Sequence, residues 1–207
     1  MMSKMTKKKK LILIRTDLLE KAAEICAKEG KTVFAFTNQV FENALKAYEM
    51  QTSLDELIRL YSLWRLKRNL GLESLPTSLI DYMMETLYEK EREKLLARAL
   101  KSGEWLGKCL TVKLQQADII TTVENIFSKL MWPSIDFSLE RKTDNIELRY
   151  ISPSSSQEKT EVASKFLIGM FDALGFTPNE HYSSPGLILI KFKRKEKIRF
   201  KISIHLS

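Results

Sequence analysis

Residues 7–16 read KKKKLILIRT, so four lysines lead directly into four consecutive aliphatic residues. The aliphatic run is far shorter than the roughly 18–20 apolar residues that cross a membrane. It is also shorter than the roughly 7–15 apolar residues of a secretory signal, so we expect a cytoplasmic protein. A short apolar run of this kind predicts a β-strand at Lys10–Arg15. Because its own unit offers this strand no partner, we expect a second chain to pair with it.

Two helices are predicted after this strand. The first, Leu18–Glu29, carries apolar residues at helical spacing and ends at Gly30. Thr32 can cap the second helix, which runs from Val33 to Met50 and is strongly amphipathic. The segment therefore has the order strand, helix, glycine, capping residue, longer helix.

Over residues 8–50 this order resembles the ribbon-helix-helix DNA-binding family, while the remainder of the chain is unrecognised. The resemblance implies a dimer in which two strands pair antiparallel and enter the major groove. It also implies that the start of the second helix binds a phosphate, and that the lysines add affinity without reading sequence. The DNA-binding residues that it implies are Lys7, Lys8, Lys9, Lys10, Leu11, Leu13, Arg15, Lys31, Thr32 and Val33.

The alternation along the strand divides its side chains between two faces. One face holds Leu11, Leu13 and Arg15, and the other holds Ile12 and Ile14 with their branched side chains. If the branched residues face the core, Arg15 is the strand residue able to make a bidentate contact with guanine. A strand that serves mainly for dimerisation, with DNA held through the lysines, is the alternative.

The rest of the chain is predicted to contain a helical connector and an α+β domain. The three expected segments are residues 1–50, 51–108 and 109–207. The last is predicted to follow the order β-α-β-β-α-β of a ferredoxin-like domain, with His181 in a solvated loop. Its expected strands are Leu110–Leu114, Ile135–Leu139, Ile146–Tyr150, Leu187–Lys193 and Ile198–His205. The three tryptophans, Trp64, Trp105 and Trp132, are interpreted as core residues.

Charge is unevenly distributed along the chain. The net charge of +8 divides into +4 for residues 1–50, −2 for residues 51–186 and +6 for residues 187–207. Basic ends indicate a polyanion partner, although lysines also keep edge strands soluble. The C-terminal hairpin offers a second basic surface, for which a solvated sheet face is the alternative. Its residues are Lys191, Lys193, Arg199 and Lys201.

The sequence contains no G-x-S-x-G, P-loop, G-x-G-x-x-G or H-E-x-x-H motif, so we expect neither an enzyme nor a cofactor. Cys26 and Cys109 are far apart in sequence, which argues against a disulfide framework or a zinc site. The favoured function is a dimeric or higher-oligomeric DNA-binding transcriptional regulator that does not bind membranes. An unidentified effector or protein partner would bind the C-terminal domain. The alternatives are an assembly protein that only dimerises and a general nucleic-acid binder using the C-terminal hairpin.

Overall fold

The computed structural model describes residues 10–114, 118–131, 136–143 and 145–195. The chain divides into two units, Met1–Arg59 and Leu60–Ser207, which are described separately below. The predicted three-part division of the chain stays a prediction. The helices of the described residues are α1 (Thr16–Glu29), α2 (Val33–Glu49), α3 (Leu54–Asn69), α4 (Thr77–Lys113), α5 (Ile119–Ile126) and α6 (Gln157–Ala173), and α5 continues into a π-helical turn, Phe127–Met131. The strands are β1 (Asp136–Arg141), β2 (Asn145–Ile151), β3 (Phe176–Ser184) and β4 (Leu187–Arg194).

The first unit is built around the helical hairpin of α1 and α2. Gly30 ends α1 with a φ of 65°, a left-handed conformation that glycine adopts without steric cost. The Thr32 hydroxyl then caps α2 by accepting a hydrogen bond of 3.1 Å from the backbone N–H of Ala35. The buried apolar residues of the two helices are small, Cys26 on α1 and Ala47 on α2. The hairpin therefore buries few of its large apolar side chains.

The predicted N-terminal strand pair is wrong. Residues 10–15 have no regular secondary structure, and the first unit is otherwise helical from Thr16 onward. A β-strand is held by hydrogen bonds to a neighbour, and among the described residues no strand lies beside this segment. The helix also begins two residues earlier than predicted, with Asp17 in its first turn, where a negative charge is favoured.

The second unit contains a four-stranded antiparallel sheet in the order β1-β2-β4-β3. Side chains alternate along the strands, so one face is buried and the other faces solvent. Helix α6 packs on the sheet, and α4 packs on α6. The fully buried large side chains at the centre of this unit are Leu70, Leu106, Leu110, Ile126, Phe127, Leu148, Leu167, Met170, Phe171, Ile188, Ile190 and Phe192.

The predicted ferredoxin-like α+β fold is also wrong. The segment Leu110–Leu114 belongs to the end of α4 and its cap, because Leu106 and Leu110 are both buried on one helical face. An apolar run this short does not distinguish a strand from a buried helix. Without that first strand, two antiparallel hairpins joined by α6 form the sheet.

Some of the predicted strands are confirmed and others are not. The hairpin of β1 and β2 is confirmed, with Leu139 opposite Leu148, and Leu187–Lys193 is confirmed as most of β4. However, β4 pairs with β3, the segment of His181 that was predicted to be a loop. Proline is tolerated here since β3 is an edge strand and its register shifts beside Pro178. The predicted strand Ile198–His205 lies outside the described residues.

Helices α4 and α6 cross at three glycines. Gly103 and Gly107 lie on α4, and Gly169 lies on α6. A Cβ on Gly107 would lie 2.5 Å from the carbonyl oxygen of Met170, and one on Gly169 would lie 3.1 Å from the backbone nitrogen of Glu104. The two backbones are therefore in direct contact. Nearer its N-terminus, α4 is kinked at Glu91, whose φ and ψ are −144° and 44°.

None of the helices in the described residues combines the length and the apolar character that crossing a membrane requires.

Candidate nucleic-acid interface

The residues predicted to contact DNA from the N-terminal segment are exposed where the structure describes them. Leu11 and Leu13 are each 93% exposed, and Lys10 is exposed as well. The Arg15 guanidinium donates hydrogen bonds of 3.0 and 2.6 Å to the two carboxylate oxygens of Asp17, which lowers the pKa of Asp17. An exposed ion pair of this kind is weak, so a phosphate or a base could replace the carboxylate. Lys7, Lys8 and Lys9 lie outside the described residues.

The structure brings Lys31, Thr32 and Val33 together at the start of α2. Thr32 is the capping residue, so its hydroxyl oxygen satisfies one of the free backbone N–H groups of the first turn. The Lys31 ammonium donates a 2.8 Å hydrogen bond to Glu29, which raises the pKa of Lys31. Their role in binding a phosphate stays a prediction.

Helix α2 carries an exposed apolar stripe that consists of Phe34, Phe41, Leu45 and Tyr48. The four residues are separated by seven, four and three positions, a spacing that places them on one side of the helix. Their side chains are between 48% and 70% exposed. Sequence periodicity predicted an amphipathic helix but did not separate this stripe from the face that packs on α1.

Charge in the described part of the first unit does not favour DNA. Residues 10–59 contain seven Lys and Arg residues and eight Asp and Glu residues. The basic character of the unit therefore comes from Lys4 and the run Lys7–Lys10. Electrostatic affinity for a phosphate backbone would depend on that short run rather than on the helices.

The exposed face of the sheet has mixed charge. Lys191 donates a 2.7 Å hydrogen bond to Glu180 on β3, and Glu147 stands opposite Lys191 on β2. Lys193 is exposed on the same strand, while Arg199 and Lys201 lie outside the described residues. The second basic surface stays a prediction, and carboxylates compensate the charge of at least one of its members.

Helix α4 carries a basic face that the sequence interpretation missed. It consists of Lys94, Arg98, Lys101, Trp105 and Lys108, at successive intervals of four, three, four and three residues. All five side chains are exposed, and the indole of Trp105 is 54% exposed, so its interpretation as a core residue is wrong. The regular spacing of the cations was the signal available in the sequence.

The other tryptophans differ in their surroundings. Trp64 on α3 is 46% exposed, so the core interpretation is wrong for this residue also. It stacks on Tyr61 with 6.0 Å between ring centroids, and the Arg68 guanidinium lies 5.8 Å from its ring. Trp132 lies outside the described residues. Trp105 is therefore the tryptophan that shares its helical face with several cations.

His181 lies on β3 and not in the predicted solvated loop. Its Nε2 shares a 2.7 Å hydrogen bond with the hydroxyl of Ser164, a buried residue of α6. Burial lowers the pKa of His181, and the nearby positive charge of Lys165 lowers it further. The described residues contain no group of three His, Cys, Asp or Glu side chains placed to hold a metal ion.

Comparison with known proteins gives weak similarity. No protein-family model matches the chain, and no curated protein matches it. A solved structure described as "Modulating Heme Redox Potential Through Protein-Induced Porphyrin Distortion" is 12% identical, with a TM-score of 0.38 over 63% of this chain and 86% of that one. Another, described as "Structural insights into the molecular mechanism of H-NOX activation", is also 12% identical, with a TM-score of 0.39 over 63% and 84%. Similarity at this level supports no conclusion about function.

Proposed function

We propose that this protein binds duplex DNA as a homodimer and regulates transcription in the cytoplasm, without an enzymatic activity of its own. One observation carries the proposal. The lysine run Lys7–Lys10 leads into a helical hairpin whose α2 exposes the apolar stripe, with side chains 48% to 70% exposed. A cationic arm beside an apolar surface is suited to a protein that associates with itself and holds a polyanion.

A second copy of this chain is the proposed occupant of the apolar stripe. The three aromatic side chains, at about 200 Å² each, expose roughly 350 Å² in total. A stable interface needs about 800 Å² from each partner. The remaining area is available from other exposed apolar side chains of the same unit. These are Leu18, Leu19, Ile25, Val40 and Met50.

Symmetry makes a second copy a suitable partner. In a two-fold dimer the same patch serves both subunits, so an apolar stripe on one α2 can cover the identical stripe on the other. The stripe contains no charged residue, so this pairing leaves no charge buried without a partner. Dimerisation also places two lysine arms in one particle, which doubles the number of phosphate contacts that one binding event can make.

Sedimentation of the full chain tests the dimer with two matched tyrosines. Tyr48 in the stripe is 70% exposed and Tyr82 on α4 is 68% exposed, and both lie on helices. We expect Tyr48→Asp to weaken self-association at least tenfold, because the stripe would bury a charge, while Tyr82→Asp should have no effect. Equal effects of the two substitutions, or a monomeric wild type, would contradict the dimer.

The salt dependence of duplex binding tests the lysine arm. We expect Lys8, Lys9 and Lys10→Ala to flatten the slope of log affinity against log salt by about 5, which is roughly 0.9 for each of six contacts in a dimer. The control replaces three exposed lysines on α1 and α2, Lys21, Lys28 and Lys46, with the same loss of charge.

Three outcomes would contradict the proposal or favour one of its alternatives. A slope that changes equally in both triple variants would mean that net charge, and not the arm, binds DNA. A dimer with no measurable affinity for duplex DNA at any salt concentration would favour the assembly protein. Binding that is lost on replacing Lys193, and kept on replacing the arm, would favour the C-terminal hairpin.

A further inference from the structure

We infer that the basic face of α4 is a binding site for single-stranded nucleic acid. The face belongs to the second unit, and its residues are distinct from the lysine arm and the apolar stripe. The inference therefore does not depend on the proposed function, and the two can fail separately.

The cations of this face are free to bind an anion. Lys94 pairs with Glu91 at 3.0 Å on the exposed surface, an interaction worth little in water. Among the described residues, no carboxylate forms an ion pair with Arg98, Lys101 or Lys108. Glu104, the one carboxylate between Lys94 and Lys113, is only partly exposed and forms no ion pair with Lys101 or Lys108, its neighbours on the helix. Three of the four cations of the basic face therefore form no ion pair with a carboxylate of the described residues.

The dimensions of the face suit a short strand. At about 1.5 Å per helical residue, Lys94 and Lys108 are roughly 21 Å apart along α4. This length corresponds to about six nucleotides at 3.4 Å each. A shallow groove of about 580 Å³ runs along the same side, lined by Lys94, Ala97, Arg98, Lys101, Ser102 and Trp105.

Trp105 distinguishes a single strand from a duplex. An exposed indole among cations can stack on an unpaired base while the lysines contact the phosphates on either side. In a duplex the base faces are covered by their neighbours, so the ring would have no comparable contact. The helix is also fixed by its opposite face, where Leu106 and Leu110 are buried in the core, so the indole is presented by a rigid element.

A membrane surface fits this face less well. A helix that lies in a lipid interface inserts a broad apolar side below its charged side. The apolar side of α4 is already buried in the second unit, and Trp105 is the only large apolar member of the basic face. Charge without an apolar side to insert favours a soluble polyanion.

The test measures the binding affinity of a labelled oligodeoxythymidylate of about six nucleotides by fluorescence anisotropy. The protein is the full chain with Lys8, Lys9 and Lys10→Ala, because these substitutions remove the competing lysine arm. We expect Trp105→Leu to weaken binding roughly 5- to 150-fold through the loss of one stacked base. Trp64→Leu is the matched control, since Trp64 has similar exposure and its ring has one guanidinium, that of Arg68, against it. Trp105→Tyr should restore most of the affinity.

A second pair of variants tests the phosphate contacts. Lys101 and Lys108→Ala should reduce the salt slope by about 1.4, which is roughly 0.7 for each contact with a single strand. Lys21 and Lys129→Ala removes the same charge from exposed positions outside the face and should leave the slope unchanged. The unfolding free energy of each variant is measured in parallel to establish that it is folded.

Four results would overturn the inference. The first is an equal loss of affinity in Trp64→Leu and Trp105→Leu, and the second is an equal reduction of the salt slope in the two double-lysine variants. The third is an equal affinity for a duplex of the same length. The fourth is Trp105-dependent binding to anionic phospholipid vesicles that exceeds binding to the oligonucleotide. An affinity for polyglutamate equal to that for the oligonucleotide would likewise show that the face recognises negative charge alone.

Discussion

The crossing of α4 and α6 provides a prediction whose sign separates two physical effects. Replacing a glycine with alanine inside a helix ordinarily stabilises it by about 1 kcal/mol, because alanine has the higher helix propensity. At Gly103 we expect the opposite result. A Cβ there would overlap the carbonyl oxygen of Phe166 and lie 2.8 Å from the backbone nitrogen of Met170.

The magnitude follows from how far the helices must separate. Ordinary contacts of a Cβ begin at 3.4 Å, so the 2.8 Å contact alone requires a shift of about 0.6 Å, and the overlap with Phe166 requires more. Both obstacles are backbone atoms, which cannot rotate away. Overpacking a core costs about 1–3 kcal/mol, and the upper end applies here because Leu167 and Met170 would also lose contacts. After subtracting the propensity gain, we expect Gly103→Ala to lower the unfolding free energy by about 2 kcal/mol.

Urea unfolding of the full chain, followed by circular dichroism, measures this difference. Gly71→Ala is the control, because its Cβ would meet nothing within 4 Å and only the φ of 66° opposes it, at a cost of about 1 kcal/mol. Gly169→Ala should act like Gly103→Ala from the opposite helix. Their combination should cost less than the sum, since one shift of the helices relieves both contacts. An unchanged or increased stability of Gly103→Ala would refute the close crossing.

Two further predictions concern pH. Burial lowers the pKa of His181 below its ordinary value of 6.5, so the imidazole takes up a proton at a higher pH in the unfolded state than in the folded state. The free energy of unfolding should therefore fall as pH drops from 6.5 and level off below the lowered pKa. Urea unfolding between pH 8 and pH 5 should show a smaller slope for His181→Gln than for the wild type, and an unchanged slope would contradict the shift. The hydrogen bond from Arg141 and a second from Thr121 lower the pKa of Asp118 to about 2, so the stability from this pair is present above the ordinary value of 3.8 and is lost as pH falls through 2. Carboxyl NMR titration of Arg141→Gln should show the pKa of Asp118 moving up toward 3.8, and an unchanged value would contradict the pairing.

Local signals in the sequence predicted much of the secondary structure. Gly30 and Thr32 mark the end of α1 and the start of α2, as predicted. The hairpin of β1 and β2 was predicted from its alternation. These features depend on neighbouring residues, and a short window of sequence contains the information that determines them.

The failures arise where distant packing decides the outcome. The end of α4 was predicted as a strand because five residues do not reveal a period, and the burial of Leu106 and Leu110 against distant elements makes it helical. β3, which carries His181, was predicted as a loop, but pairing with β4 makes it an edge strand, a position that tolerates Pro178. The strand at Lys10–Arg15 was predicted on the assumption of a partner that no described residue supplies.

Trp105 shows why the candidate site was the harder part to predict. A tryptophan in an amphipathic helix is usually assigned to the core, and the alternative depends on which of two faces it occupies. The glycines Gly103 and Gly107 lie on the buried face against α6, so Trp105 lies on the other side with the lysines. The regular spacing of the cations was a signal for this face in the sequence, but the packing of the glycines against α6 is what shows which side of α4 is buried.

The apolar stripe of α2 and the basic face of α4 suit partners of different chemistry. Burying the apolar stripe of α2 against another apolar surface lowers the free energy of the system. A polyanion does not provide such a surface. The basic face of α4 gains by releasing the counterions of a polyanion, which an apolar surface does not allow. One partner of uniform chemistry therefore cannot satisfy both. The proposed combination, a second copy for the stripe and a nucleic acid for the basic face, matches each surface with the chemistry that stabilises it.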